Sequence, residues 1–498
     1  MKFKSPFSRN EIFFAAVYFV QAAVGISSIA QFIFTRNELG LDFIQLGILA
    51  ALPTISWSIK PIYGFLTDLV PIRGYRRRPY LHIMPIVTVL SWLYIWQFAD
   101  SFISFAIPLM IANIGLGFTD VIADGLVVQQ SDEKTAGRFQ SICWGALSVG
   151  AIISTFFSGF LLGREILDIR QMFLITALMP IITFGLSFFV KENRIMDKSE
   201  LKVHKAISPS YIYTAILAFI VTIILLYPYE GQNMSVASLA IIGVWFIWLA
   251  GYFKHLMDIK IIGKGIFAAA IFIFLWRFTP SFGAPWQDYF LNKIGIDQET
   301  YGYFGVVAYI GWLVGSILFA KLFDKVSLRK VLFWTIVLSS VLGLTQLGLT
   351  KPELGNAIGN FPIIKYMGAV IASPVFFIAQ GTKFWSSLMQ MQGLVFLNFV
   401  LDFFLGILYM ISFVALLKFA ALSTPKNLEG TNFAIFASIM NFGLVFGSIS
   451  GGMIYENVQN GMLGMNGLQI TIILGVVTSL IALLAMPWIK TEHMAHEK

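Results

Sequence analysis

Lys60, Asp120, Asp124, Arg277 and Asp402 are ionisable side chains set inside long apolar runs, and Asp288 lies near the end of another. A charge in hydrocarbon is costly, so such residues pair, face a water-filled path or carry function. Asp120 and Asp124 are four apart and share one face of a helix. Two carboxylates that close resist joint ionisation, which suits one of them to hold a proton. Lys60 and Asp124 each lie roughly 10 Å from the inner end of their own run, at 1.5 Å per residue. They are therefore expected to pair, leaving the deeper Asp120 as a proton carrier. A purely structural ion pair locking two helices is the competing reading.

Arg277 and Asp402 both fall near the middle of their runs, the depth at which transporter substrates bind. A guanidinium presents a planar fork that fits a carboxylate. Either Asp402 neutralises it in the empty protein or an anionic substrate does. Trp276 and Trp286 accompany Arg277, and Trp144 follows Gln140. Together these rings can stack on a flat heterocycle, although any one of them serves equally well as packing. The run Thr279-Pro280-Ser281-Phe282-Gly283-Ala284-Pro285 breaks the helix beyond Arg277, so its freed backbone groups must face protein or a cavity.

The elements that carry these residues follow from composition. Of the 498 residues, 57% are hydrophobic and 12% charged, against roughly 25% charged in soluble domains. The single cysteine, Cys143, rules out an internal disulfide and a cysteine-based metal site. No cleavable leader is expected in Met1–Phe34. Apolar runs long enough to cross a bilayer, about 20 residues each, fall at about 11–34, 43–67, 81–98, 102–130, 138–162 and 171–190. Two weaker ones follow at about 211–228 and 236–252. Six more lie at about 265–290, 302–322, 330–349, 393–417, 431–455 and 467–488. Fourteen crossings are expected, and the apolar stretch 361–379 is read as re-entrant or packed on the outer surface. With the N-terminus inside, 25 of the 34 Lys and Arg fall on the cytoplasmic face, 7 outside and 2 within spans. That bias puts both termini in the cytoplasm.

The two sets of six spans repeat one another. Gly64-x3-Asp68-x4-Arg73 returns as Ala320-x3-Asp324-x4-Arg329, 256 residues later, and Gly137, Gly150 and Gly159 return as Gly430, Gly443 and Gly452, 293 later. The first offset sets Gln21 against Arg277. The difference is about the excess length of the loop around 350–391. Asp68 can cap a neighbouring helix, while Arg73, Arg76 and Arg77 stay at the anionic inner leaflet. The loop therefore reads as a gating latch, with a simple solvated basic loop as the alternative. The expected division is a six-helix bundle over 1–190, a linker and extra helix pair over 191–260, and a second six-helix bundle over 261–498 carrying a long outer segment at 350–391.

Several stretches carry a resemblance to a known family. In the first half they are Lys60-Pro61-Ile62-Tyr63-Gly64 through Asp68, Gly74-Tyr75-Arg76-Arg77-Arg78-Pro79-Tyr80, Asp120 to Val128, and Phe139-Gln140-Ser141-Ile142-Cys143-Trp144-Gly145. In the second half they are Phe274-Leu275-Trp276-Arg277-Phe278-Thr279-Pro280-Ser281 and Glu429-Gly430-Thr431-Asn432-Phe433-Ala434. In their joint order these resemble the folate–biopterin transporter family of the major facilitator superfamily. The resemblance implies an all-α major facilitator fold and uptake of folates or pterins coupled to protons. It also implies a central pathway holding Lys60, Asp120, Asp124 and Arg277. The chain departs from it in the extra helix pair and the long 350–391 segment.

The expected function is thus a monomeric secondary transporter in a bacterial inner membrane, working by alternating access. Its partners would be a small-molecule substrate, protons and lipid, with no nucleic acid and no cofactor or metal. A sugar or nucleoside transporter is the alternative, and a pigment-assembly factor a further one, disfavoured by the lack of histidines within spans. An intramembrane aspartic protease is disfavoured because Asp120 and Asp124 share one helix.

Overall fold

The computed structural model describes residues 9–130, 136–192, 194, 209–227, 233–259, 264–323, 325–422 and 429–488. Among them the regular structure is helical, apart from isolated bridges at two turns, Ile72 with Tyr75 and Met462 with Met465. Thirteen helices are long and apolar enough to cross a membrane. Twelve of these answer to expected spans, and the thirteenth is Pro362–Met389. Two expected spans are missing from that count. Ser210–Leu226 is apolar but short. The run at 265–290 is interrupted: Lys264–Arg277 is helical, 278–282 is not, and Gly283–Asp288 starts a new helix.

The interruption has a local cause and a tertiary solution. Pro280 has no N–H and cannot continue the ladder. The freed N–H of Ser281 donates to the carbonyl of Gly447, at 2.9 Å, on the helix Glu429–Val458. That helix is glycine where the non-helical segment 278–282 lies on it. A Cβ on Gly447 would sit 2.4 Å from the Thr279 carbonyl oxygen, and one on Gly451 2.0 Å from that of Ser281.

The chain forms two compact units. The first comprises Met1–Gly40, Leu52–Ser154 and Leu167–Ile261; the second comprises Leu41–Ala51, Thr155–Ile166 and Ile262–Lys498. The extra helices Pro209–Leu226 and Met234–Asp258 belong to the first unit and pack on each other. Trp245 donates to Thr222 at 3.1 Å and Tyr211 to the Gly251 carbonyl at 2.9 Å. Their remaining faces, with Tyr213, Ile224 and Ile247, are exposed and apolar, as lipid-facing surfaces are.

The internal repeat is visible as repeated packing. In the first unit Gly150 lies against the Phe19 carbonyl and Ala22; in the second Gly443 lies against the Phe274 carbonyl and Arg277. Phe19 and Phe274, like Ala22 and Arg277, differ by 255. Ala22, not Gln21, is therefore the counterpart of Arg277. The expected offset came from the Asp68 loop, which is 256 residues from its mate. The π turn Phe319–Phe323, just before that mate, takes up one residue more per turn than an α-helix.

Gly451→Ala should lower stability by about 1–3 kcal/mol, because the new methyl group overlaps backbone that cannot yield. Gly243→Ala is the control, since nothing lies within 4 Å of its Cβ position. Thermal melting of the detergent-purified protein should separate the two variants by several degrees, with only Gly451→Ala falling.

Candidate functional site

In the first unit the helix from Phe43 ends at Ser58, and a new one starts at Lys60 with Pro61 in its first turn. The break turns the Lys60 side chain onto the helix Phe102–Gln130, where its ammonium pairs with Asp120. The other oxygen of Asp120 accepts from the Gln21 carboxamide. Asp120 is buried, at 2% exposure. Asp124, one turn further on, accepts from the Tyr18 hydroxyl at 2.6 Å. Lys60 also lies 4.6 Å from the Trp57 ring, whose indole N–H donates to Asn113. The Trp144 ring stands edge-on to Tyr18, centroids 6.3 Å apart.

The expected pairing of Lys60 with Asp124 is therefore overturned: Lys60 is bonded to Asp120. Counting residues from the inner ends treats both helices as straight and parallel, and the break at Ile59–Pro61 interrupts one of them. Gln21, a candidate substrate contact by its place opposite Arg277 in the repeat, donates to Asp120. The Gln140 side chain lies outside those described.

The basic loop after this helix is a two-residue turn. Arg73 and Gly74 take positive φ, at 54° and 81°, between the paired Ile72 and Tyr75, as a hairpin turn requires. The backbone N–H groups of Arg77 and Arg78 donate to Glu192, and the Arg77 guanidinium donates to the Gly125 carbonyl at 2.9 Å. The loop is thus tied to the helix that carries Asp120 and Asp124. Gly64 faces Val121 on that same helix. The Asp68 side chain and Asp324, on which the latch reading rests, lie outside what is described; Arg76 is half-buried and Arg329 exposed.

In the second unit Arg277 does not meet Asp402. Its guanidinium donates to the Tyr409 hydroxyl at 2.8 Å and lies 5.4 Å and 5.7 Å from the rings of Tyr409 and Trp276. Asp402 accepts from Asn398 at 2.7 Å. Tyr409 is seven residues beyond Asp402, two turns or about 10 Å along the helix. That distance is what separates the two charges. Tyr409 stacks between Trp276 and Trp312, at 6.0 and 4.7 Å. Trp286 is buried against Phe282 and Phe290, a packing position.

Arg277, Trp276 and Tyr409 line a cavity of about 490 Å³ contained in the second unit. The non-helical segment contributes Thr279 and Ser281, and opposing helices add Ser340, Gln346, Ser412 and Ser479. Ser340 is buried, and its hydroxyl has no hydrogen-bond partner among the described residues. The cavity thus offers one fixed cation, an aromatic stack and a surplus of hydroxyls.

Tyr18, Tyr409 and Glu192 were not foreseen. The first two carry no charge at neutral pH, so a search for buried charge passes over them. A helical wheel would have found them: Tyr18 precedes Gln21 by one turn, and Tyr409 follows Asp402 by two.

The helices, their duplicated packing and the buried charges define a membrane transporter of the major facilitator fold. Solved structures bear out the fold. A peptide transporter POT in complex with sulfate superposes with TM-score 0.63 at 12% identity, covering 98% of this chain and 96% of that one. The nucleoside transporter NupG gives 0.55 at 13%, with 98% and 100% covered. The chain belongs to the BT1 family, which it matches over residues 22–352 and 395–498. It is 26% identical to the folate-biopterin transporter of Synechocystis sp., over 95% of this chain and 80% of that one. It is 20% identical to folate transporter 1 of Plasmodium falciparum, over 95% and 78%.

Lys60→Met should destabilise the protein by about 3–5 kcal/mol, since it strands a buried carboxylate. Adding Asp120→Asn should return much of that loss. The melting temperatures of the two single variants and the double variant test the pairing. Rescue by Asp124→Asn instead of Asp120→Asn would contradict it.

Proposed function

We propose that this chain is a secondary transporter for folate- or pterin-like solutes, coupled to protons and working by alternating access. Its relatives' names motivate the substrate class. The observation that carries the reading is Arg277, held by a phenol and flanked by aromatic rings beside an open cavity. Among the described residues no carboxylate is within ion-pair reach of it. A pterin ring is flat and stacks on aromatic faces. A carboxylate such as a folate tail offers the bidentate acceptor that a guanidinium prefers.

The proton is assigned to Asp124. Asp120 is held by an ammonium and a carboxamide, and protonating it would leave Lys60 as a stranded cation. Asp124 is held by a neutral hydroxyl that can donate to the ionised acid and accept from the protonated one. The spacing argument that chose Asp120 depended on a pairing now reversed. The basic-residue bias supports an orientation with both termini in the cytoplasm, and the location proposed is a bacterial inner membrane.

Purified protein in liposomes tests both assignments. Arg277→Lys should weaken folate binding at least tenfold, about 1.4 kcal/mol, because a point charge replaces the fork. Equal affinity in wild type and Arg277→Ala would remove Arg277 from the site. Asp124→Asn should abolish accumulation driven by an imposed pH gradient while sparing exchange of labelled folate for unlabelled. Continued proton-driven accumulation in that variant would move the carrier elsewhere, with Asp402 the next residue to test. Failure of folates and pterins to exchange, with a nucleoside or sugar exchanging instead, would overturn the substrate class.

A further inference from the structure

Residues 353–394 fall in the gap between the two stretches matched to the family, and most of that gap is helical. Its main helix, Pro362–Gln380, is long and apolar enough to span, yet its contacts do not run the way those of a span would. Gly368 lies against Phe396, and Phe376 against Phe399, ring centroids 6.2 Å apart. Eight residues of this helix, about 12 Å, therefore pass over three residues of the helix Gly393–Leu422, about 4.5 Å. Two helices crossing a membrane side by side would use equal lengths. Pro362–Gln380 instead lies across the end of its neighbour, at the face that the basic-residue bias assigns to the outside.

Its two faces fit that position. Gly368, Ala369, Ala372 and Phe376 are buried against protein. Ile363, Tyr366, Val370 and Phe377 are exposed and share the opposite face, by spacings of three, four and seven. An apolar face turned away from protein at this level fits acyl chains of the outer leaflet. Gly381, at φ 58°, ends the helix, and Lys383 and Trp385 follow, residue types suited to the interface.

The far end of the helix reaches a cluster that joins two other helices. Arg164, just beyond Ala136–Gly163, forks onto Glu299 at 2.9 and 2.8 Å, and Glu299 opens the helix Gln298–Leu318. Tyr303, one turn on, also donates to Glu299. Gly159 and Gly302 meet backbone to backbone one turn further in. Pro362–Gln380 adds two contacts here. The Ala379 carbonyl accepts from Arg164 at 3.1 Å, and the Phe376 ring stands edge-on to Tyr303 at 4.8 Å. The hydrogen bond to Glu299 raises the proton affinity of Arg164 further, so the fork stays charged across the physiological range.

We infer that Pro362–Gln380 is a strap, seated in the outer leaflet, that clamps the outer ends of Ala136–Gly163 and Gln298–Leu318 together and so biases the transporter toward an outer-closed state. The contacts are one-sided: a strap bonded to both partners of a closed joint stabilises that joint and not its open form, which shifts the population. The inference does not depend on the identity of the solute.

The test uses full-length protein with Cys143→Ser and a membrane-impermeant maleimide. Glu353→Cys and Thr382→Cys flank the strap and should react from the same side of the membrane; reaction from opposite sides would make the helix a span and end the proposal. Ser158→Cys, buried next to Gly159, reports opening from that same side. Phe376→Ala should raise its labelling rate at least threefold. Replacing 353–392 by a short Gly-Ser linker should raise it further, towards the rate in Arg164→Gln. Should Arg164→Gln raise the rate while Phe376→Ala and the linker variant leave it at the parent level, the joint closes without the strap and the inference fails.

Discussion

Inside a bilayer no water is available to take up a freed backbone group or an unpaired charge. The break at Thr279–Ser281 is the place where this constraint shapes the second unit. Pro280 releases the chain from its helix, and Gly447 accepts the Ser281 N–H in return. The acceptor can come that close because Gly447 and Gly451 have no side chains to hold the segment off. The segment then runs past the end of its helix and contributes Thr279 and Ser281 to the cavity wall. Arg277, the last helical residue before the break, lines the same cavity. Site and packing are here one feature, since the segment that Gly447 and Gly451 allow to approach also supplies cavity wall.

The same constraint sorts the carboxylates of the first unit. Asp120 has an ammonium and a carboxamide, one on each oxygen. Removing either member of that ion pair strands the other as a buried charge. Asp124 has a phenol, which serves either protonation state by turning its O–H. Two carboxylates one turn apart thus have different freedoms, set by the polarity of their partners. Lys60, at the start of the helix that follows the break at Ile59, pairs with Asp120 and not with Asp124.

Much of this architecture was legible in the sequence. Twelve spans follow from run length alone, because a membrane helix needs little more than length and apolarity. The repeated glycines pointed to repeated close packing, and Gly150 and Gly443 make equivalent contacts. The buried charges were legible as residues but not as pairs. Depth along the chain pairs Lys60 with Asp124 and offers Asp402 as one of two possible counter-charges for Arg277, the other being an anionic substrate. Depth fails where a helix breaks, as at Ile59, and where two turns separate neighbours, as between Asp402 and Tyr409. It also sees only charge, whereas Tyr18 and Tyr409 are neutral. The stretch 361–379 reads from the sequence as re-entrant or packed on the outer surface, but its contacts with Arg164 and Tyr303 are not legible there, since hydropathy carries no information on partners.

Duplication accounts for the packing of the two units and makes their difference in chemistry informative. The helices that begin the two halves share the same glycine contact, Gly150 with Ala22 and Gly443 with Arg277. At equivalent positions one half has a methyl group and the other a guanidinium. The scaffold tolerates both because the contact is made by the backbone and Cβ, which every residue except glycine supplies. The placement of charge differs between the units. The first puts its ion pair on two other helices, between Lys60 and Asp120, and ties it to this one only through Gln21. The second puts a cation at the contact itself and gives it a phenol in place of an acid. A cation with no carboxylate within ion-pair reach among the described residues is costly in an apolar bundle, and a duplicated scaffold offers a cheaper solution at the same position in Ala22. Retaining Arg277 in that setting makes sense where an anion from outside the chain completes it.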